Sequence, residues 1–290
     1  MPSQLFAYLQ YVLPKYWITS VVYRIARIQN TALKNFLITK FVALYEVDIE
    51  TVRRTVPDGF ATFNDFFIRE LEDGARPIDT QTRAVVSPVD GTVSSAGTIK
   101  RDSIFQAKGH HYSLDDLLAT DLQEASRYVD GEYATIYLAP YNYHRVHAPF
   151  NGELVAAHYV PGDLFSVNAA TAANVPGLFR RNERLVMHFN SAIGPYVLIF
   201  VGALNVGSIS TPWTGELRPR KHGVVESINL GDAAREADKL VIDKGALLGW
   251  FNMGSTVIVL FPEKTCAWEP NLKSGATVQM GEAIGTVVAK

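Results

Sequence analysis

Cysteine is nearly absent: Cys266 is the only one in 290 residues. A lone thiol excludes an internal disulfide framework and any multi-cysteine zinc site, and it fits a reducing compartment. An excess of positive charge is missing too. The 27 Lys and Arg face 29 Asp and Glu, for a formal net charge of −2. That balance argues against a nucleic-acid binder, whose domain would be strongly basic. No apolar run reaches the ~18–20 residues that a spanning helix needs. No A-x-A-like site follows a short apolar stretch, so a secretory leader is not expected. Disorder is excluded by 48% apolar against 19% charged residues, enough to bury a sizeable core.

A further absence is local. Residues 1–45 hold no Asp or Glu, and the first acid is Glu46. The same stretch holds Lys15, Arg24, Arg27, Lys34 and Lys40, so it carries +5 and the rest of the chain −7. It also holds nine aromatics, among them Tyr11, Trp17 and Phe36. Ile18, Val21/Val22, Ile25 and Ile28 recur at helical spacing, as do Leu33, Phe36/Leu37, Phe41 and Leu44. Pro14 separates them from Leu5, Leu9, Val12 and Leu13. Two readings fit. The helices lie on an anionic membrane face, with Lys/Arg and aromatics at headgroup level. Or they pack on the protein's own core and show water a basic face.

Thr62-Phe63-Asn64-Asp65-Phe66-Phe67 closes the helical region, with Thr62 or Asn64 as an N-cap. Near Arg76-Pro77-Ile78-Asp79 the texture changes. From about residue 84, β-branched runs alternate with Gly, Pro and Asn turn signals, as at 93–99, 134–138, 196–201 and 257–261. The expected fold is α+β and mainly β. It has a helical region over 1–75 and a β-rich domain over 76–290, an antiparallel barrel or sandwich. Helical interruptions are expected at 113–120, 121–128 and 232–237. A pattern of small-Pro-x-x-Gly-x-aliphatic recurs at 87–93, 148–154 and 211–217. Proline presets φ for the turn and glycine accepts a positive φ leaving it. No lysine sits at these tips, which argues against a swinging-arm carrier. Residues 275–288, around Met280-Gly281-Glu282, read as a closing hairpin.

Three places carry chemistry. Asp90 lies in the first Pro-x-x-Gly turn, where turn formation alone explains it. His144 and His147 lie in Tyr141-Asn142-Tyr143-His144-Arg145-Val146-His147, between Pro140 and Pro149. The prolines disfavour a helix. In an extended strand the two rings face opposite ways, so separate roles are more natural than a shared metal. The third is Asn252-Met253-Gly254-Ser255-Thr256, ahead of an apolar strand. There the Ser255 hydroxyl can attack the carbonyl before it, and glycine removes side-chain hindrance. A base must take the hydroxyl proton and an acid must orient that base. Asp90, His147 and Ser255 supply those types, though only geometry identifies a triad.

Across nearly its whole length the chain closely resembles the bacterial phosphatidylserine decarboxylases, which depend on a pyruvoyl group. The resemblance runs through Tyr11-Val12-Leu13-Pro14-Lys15, residues 62–67, Gln106-Ala107-Lys108-Gly109-His110, residues 143–147, residues 160–168 and Arg181-Asn182-Glu183-Arg184. The family's Leu-Gly-Ser-Thr reads Met253-Gly254-Ser255-Thr256 here. The resemblance implies self-cleavage between Gly254 and Ser255, into 1–254 and 255–290, driven by Asp90 and His147. Ser255 becomes the pyruvoyl group, which forms a Schiff base with the substrate amine and serves as electron sink. It further implies a part for His144 in decarboxylation, and no metal or PLP. Phosphatidylserine in an anionic membrane is the implied partner. The enzyme would be a homodimer of processed two-chain protomers, peripheral on the cytoplasmic face of the cell membrane. Lys108, His110, Arg145 and Arg184 are phosphate candidates by type and neighbourhood. His111 replaces an amide common in the family and ranks below them. A serine hydrolase would use the same three residues, but the chain lacks the Gly-x-Ser-x-Gly elbow.

Overall fold

A computed structural model describes residues 2–119, 122–230 and 240–288. Three helices come first: α1 (Pro2–Val12), α2 (Lys15–Ala26) and α3 (Thr31–Tyr45). Pro14 sits at the N-cap of α2. Asn30 caps α3 by accepting from the Leu33 N–H at 3.0 Å, and Glu46 ends it in a left-handed conformation. A short α4 (Phe63–Phe67) starts at Thr62, one of the two expected N-caps, which forms a capping box with Asp65.

The first three helices are built inside out. Their buried positions include polar Gln10, Lys15, Thr19 and Lys34. Leu5, Tyr8, Val12, Trp17, Phe36 and Leu44 face outward, each 57–78% exposed. Basic charge is partly turned inward. Lys15 pairs with Asp163 at 3.0 Å, Lys34 bonds the Pro57 carbonyl at 3.1 Å, and Arg27 pairs with Glu216 at 2.7 Å. The outer face is therefore more apolar and less basic than composition suggests. Among the described residues, no helix is long and apolar enough to cross a membrane. Beneath α3, a small core of Ile38, Phe60, Phe63, Phe66 and Phe67 reaches Met253.

The remainder is antiparallel sheet. At its heart is the strand Ser255–Phe261, buried at every position and hydrogen-bonded to Glu132–Leu138 on one side and Gly194–Val201 on the other. Burial on both faces explains its unbroken apolar run. Each of those side chains adds about 1.5–3 kcal/mol of hydrophobic stabilisation. The largest sheet ends at Thr277–Val278 on one edge and Glu226–Ser227 on the other, so it forms no closed barrel. With the smaller sheets it is sandwich-like.

The three Pro-x-x-Gly turns each lead into a strand, at Gly91, Gly152 and Gly215. Positive φ is needed only at Gly215. At Gly91 a Cβ would come within 2.5 Å of the Tyr137 carbonyl oxygen, so close strand approach selects glycine there instead. The closing hairpin does not form. Thr277–Val278 pairs with Gly91–Thr98, whereas Ala283–Val287 pairs with Ala84–Val86 and Cys266–Trp268. The turn between them docks onto earlier chain, through Gly281 N–H to the Ser87 carbonyl and Asp79 N–H to the Gly281 carbonyl. The expected interruptions near 113–128 are the helices Leu114–Leu118 and Leu122–Ser126. The one at 232–237 lies outside the described residues.

Candidate active site

Ser255 opens the central strand opposite Leu138. It is fully buried, and its Oγ has no hydrogen-bond partner. At Gly254 a Cβ would meet nothing within 4 Å, and φ is not positive there. Packing thus gives no reason for glycine at 254. Both residues border a cavity of about 270 Å³. Its walls are Phe41 and Tyr45 from α3, Phe67 from α4, Tyr137, Pro140, Ser166 to Asn168 and Ala203 to Asn205. Among the described residues, no Lys, Arg or His lines it. The helix with outward-facing Phe36 and Leu44 is thus one wall of the cavity.

The two histidines do face different surroundings. His144 is fully buried, with its ring 4.2 Å from that of Phe67. Its Nδ1 lies 2.8 Å from the Asn142 carbonyl. A carbonyl only accepts, so Nδ1 carries the proton and Nε2 keeps a lone pair. That Nε2 is buried and without a partner. Burial, and then the Arg69 charge, push the imidazole down to about 3. His147 is held likewise, with Nδ1 2.8 Å from the Gly245 carbonyl and Nε2 3.1 Å from the Tyr143 hydroxyl. Burial lowers its pKa, while Gly245 and the through-space pull of Asp90 act upward.

Asp90 is 5% exposed, and Arg76 grips it. The Arg76 Nε lies 2.9 and 3.0 Å from the two carboxylate oxygens and Nη2 lies 2.6 Å from Oδ2. The Met280 N–H adds a bond of 2.9 Å. Asp90, Arg76, Arg69 and Tyr143 border a second cavity of about 230 Å³. No hydrogen bond joins Asp90 to His147, or His147 to Ser255. Sequence reading missed Arg76, which registers only as a change in texture. It also missed Gly245, which offers a backbone carbonyl and no side-chain signal.

None of the phosphate candidates lines the Ser255 cavity. Arg184 is buried, and four of its five N–H groups meet the carbonyls of Leu117, Asp116, Arg180 and Asn182. It is a strut of the fold. Arg145 donates to the Ile68 carbonyl at 2.9 Å and pairs with Glu70 at 3.1 Å. Lys108 and His110 lie at the tip of the hairpin formed by Ser103–Ala107 and His110–Ser113, and Lys108 is exposed. Among the described residues, no cluster of three or more His, Cys, Asp or Glu could hold a metal.

Buried neutral imidazoles make stability sensitive to acid. His144 and His188 are pushed down to about 3 and about 4, both chiefly by burial. Below about pH 6.5 the unfolded chain binds a proton at each site and the folded one does not. Stability is expected to fall by about 1.4 kcal/mol per pH unit for each histidine as pH drops from 6.5 toward 4. Urea unfolding of His144→Leu should show one such slope fewer.

Comparison with known proteins places the chain in a family. A family described as phosphatidylserine decarboxylase matches residues 63–286, and one described as PSD matches residues 5–46. The phosphatidylserine decarboxylase proenzyme of Saccharophagus degradans is 42% identical over 284 residues, covering 98% of each chain. That of Marinobacter nauticus is 42% identical over 291 residues and 100% of both chains. That of Yersinia pestis is 43% identical over 97% of this chain and 95% of its own. The class is therefore an enzyme, a decarboxylase. Within that class, the chain belongs to the phosphatidylserine decarboxylase family.

Proposed function

We propose that this chain decarboxylates phosphatidylserine to phosphatidylethanolamine and carbon dioxide, using a pyruvoyl group made from its own Ser255. The observation that carries this is a buried, unpartnered Ser255 hydroxyl beside a glycine that packing does not require. The relatives' description as proenzymes supports the self-cleavage. Ser255 Oγ attacks the Gly254 carbonyl carbon, and the peptide C–N bond gives way to an ester. Loss of the Ser255 α-proton expels the Gly254 carboxylate and splits the chain. Water then replaces the resulting enamine nitrogen as ammonia and leaves a ketone on residue 255.

His147 is the base, and its Nδ1–H tautomer gives Nε2 the lone pair that accepts. Tyr143 covers that nitrogen, so His147 must leave Tyr143 to reach Ser255. Asp90, held by Arg76, stabilises the imidazolium through space. Both fragments stay together, because 255–261 is hydrogen-bonded on both sides and 283–287 pairs with 84–86. The unpartnered Oγ and the open space at Gly254 leave room for the pyruvoyl group. That group would supply a carbonyl able to take up the substrate amine and to draw electrons as carbon dioxide leaves.

The outward apolar faces of α1 to α3 support a peripheral seat on the cytoplasmic face of an anionic membrane. A diacyl lipid would then keep its chains in the bilayer while its headgroup enters beside α3. The neutral cavity walls would meet the headgroup with hydroxyls and amides. A homodimer of processed protomers completes the proposal. Intact mass of the purified protein tests it, together with carbon dioxide release from phosphatidylserine vesicles. Fragments 1–254 and 255–290 are expected, the smaller without a free α-amino group. An unprocessed chain with full decarboxylase activity would overturn the pyruvoyl mechanism.

A further inference from the structure

Asn252 stands two residues before Gly254 and is 3% exposed. Its Oδ1 accepts from Asn64 of α4 at 3.0 Å. Its Nδ2 donates to the hydroxyls of Ser208 at 2.7 Å and Ser210 at 3.0 Å. Its backbone N–H donates to the Ser208 carbonyl at 3.0 Å. Asn252 is thus fixed from several directions, immediately before the open space around Gly254. The chain of contacts continues outward. The Ser208 hydroxyl donates to Glu216, and Glu216 accepts from Arg27, the C-cap of α2, at 2.7 Å. The inner part of this network, around Asn252, Asn64, Ser208 and Ser210, is buried, and a satisfied buried polar network rigidifies the chain that carries it. None of these side chains has a part in the proposed chemistry.

We propose that Asn252 is a positioning residue for self-cleavage, and that docking of α2, transmitted through Glu216 and Ser208, sets the geometry of the peptide before Ser255. The inference rests on reading Gly254–Ser255 as the bond that is cut. Intramolecular attack needs Oγ about 3–3.5 Å from the carbonyl carbon, and a displacement of about 1 Å slows it about 10²-fold. Fixing residue 252 limits where residue 254 can go. The same contacts tie the outward-facing helix to the body, so the bond is cut once α2 is seated.

Cell-free synthesis of the full chain, pulse-labelled and chased on a denaturing gel, gives the half-time of cleavage. Asn252→Ala should slow cleavage about tenfold or more, and Glu216→Ala about threefold or more. The double variant should be no slower than Asn252→Ala alone. Glu216→Gln, which keeps an acceptor for Ser208, should recover most of the rate. Glu216 is half-exposed, so its variants decide the matter even if Asn252→Ala folds poorly. Cleavage of Glu216→Ala at the wild-type rate, or slowing that multiplies in the double variant, would overturn the inference. Ser255→Ala separates the two levels. If the wild type stays whole, or Ser255→Ala is still cut, the underlying reading fails. If the wild type is cut, Ser255→Ala is not, and Glu216→Ala is cut at the wild-type rate, this inference alone falls.

Discussion

Ser255→Ala is expected to leave the chain in one piece and to abolish carbon dioxide release from phosphatidylserine. Without Oγ, no ester can form at Gly254 and no ketone can arise at 255, so both activities vanish together. The variant should nevertheless fold at least as well as the wild type. The Ser255 hydroxyl is buried without a hydrogen-bond partner, and such a group costs about 1–3 kcal/mol. Removing it relieves that penalty and leaves the hydrogen bonds of the central strand intact. The expected result is a single band on a denaturing gel, a urea midpoint unchanged or raised, and no activity. A serine hydrolase would also lose activity in this variant, but its wild type would stay whole and take a fluorophosphonate label at Ser255. A cleaved Ser255→Ala chain would sink the assignment.

The site was legible where it depends on residue type and illegible where it depends on the backbone or on salt-bridge partners. Gly254-Ser255 ahead of an apolar run shows in the sequence because the proposed chemistry needs those two residues adjacent. The different settings of His144 and His147 arise because only His147 lies in the strand Arg145–His147, while His144 precedes it and packs on Phe67. Gly245 was invisible because it acts through its carbonyl, which every residue has. Arg76 was invisible because nothing in Ala-Arg-Pro-Ile announces a partner 14 residues away. Arg184 misled in the other direction, since a cation near a motif reads as a ligand until its carbonyl partners are seen. The N-terminal helices show the same limit. Their helical period was readable from apolar spacing, but spacing does not say which face turns inward. Buried Gln10, Thr19 and Lys34 reverse the usual rule, which composition could not reveal. The closing hairpin failed because its turn is captured by residues 79 and 87, a long-range contact that local turn chemistry cannot encode.

His144→Ala is expected to cleave normally and then turn over about 10²–10³-fold more slowly, the usual worth of a positioned acid or base. Cleavage serves as its folding check, so a processed but slow variant locates the defect in decarboxylation. The argument rests on the state of the ring. Nδ1–H is held by the Asn142 carbonyl, and Nε2 is an unpartnered lone pair. With its pKa pushed down to about 3, the ring is neutral at pH 7 in the free enzyme. Reprotonation of the substrate carbon needs an acid, which a neutral imidazole is not. An anionic headgroup entering beside Phe67, against which the His144 ring packs, would favour the imidazolium. Proton uptake by His144 is then tied to substrate binding. The wild-type kcat/KM should accordingly show no limb near pH 6.5 that belongs to His144. A limb there that disappears in His144→Ala would mean the free ring is already charged, and the burial argument would be wrong.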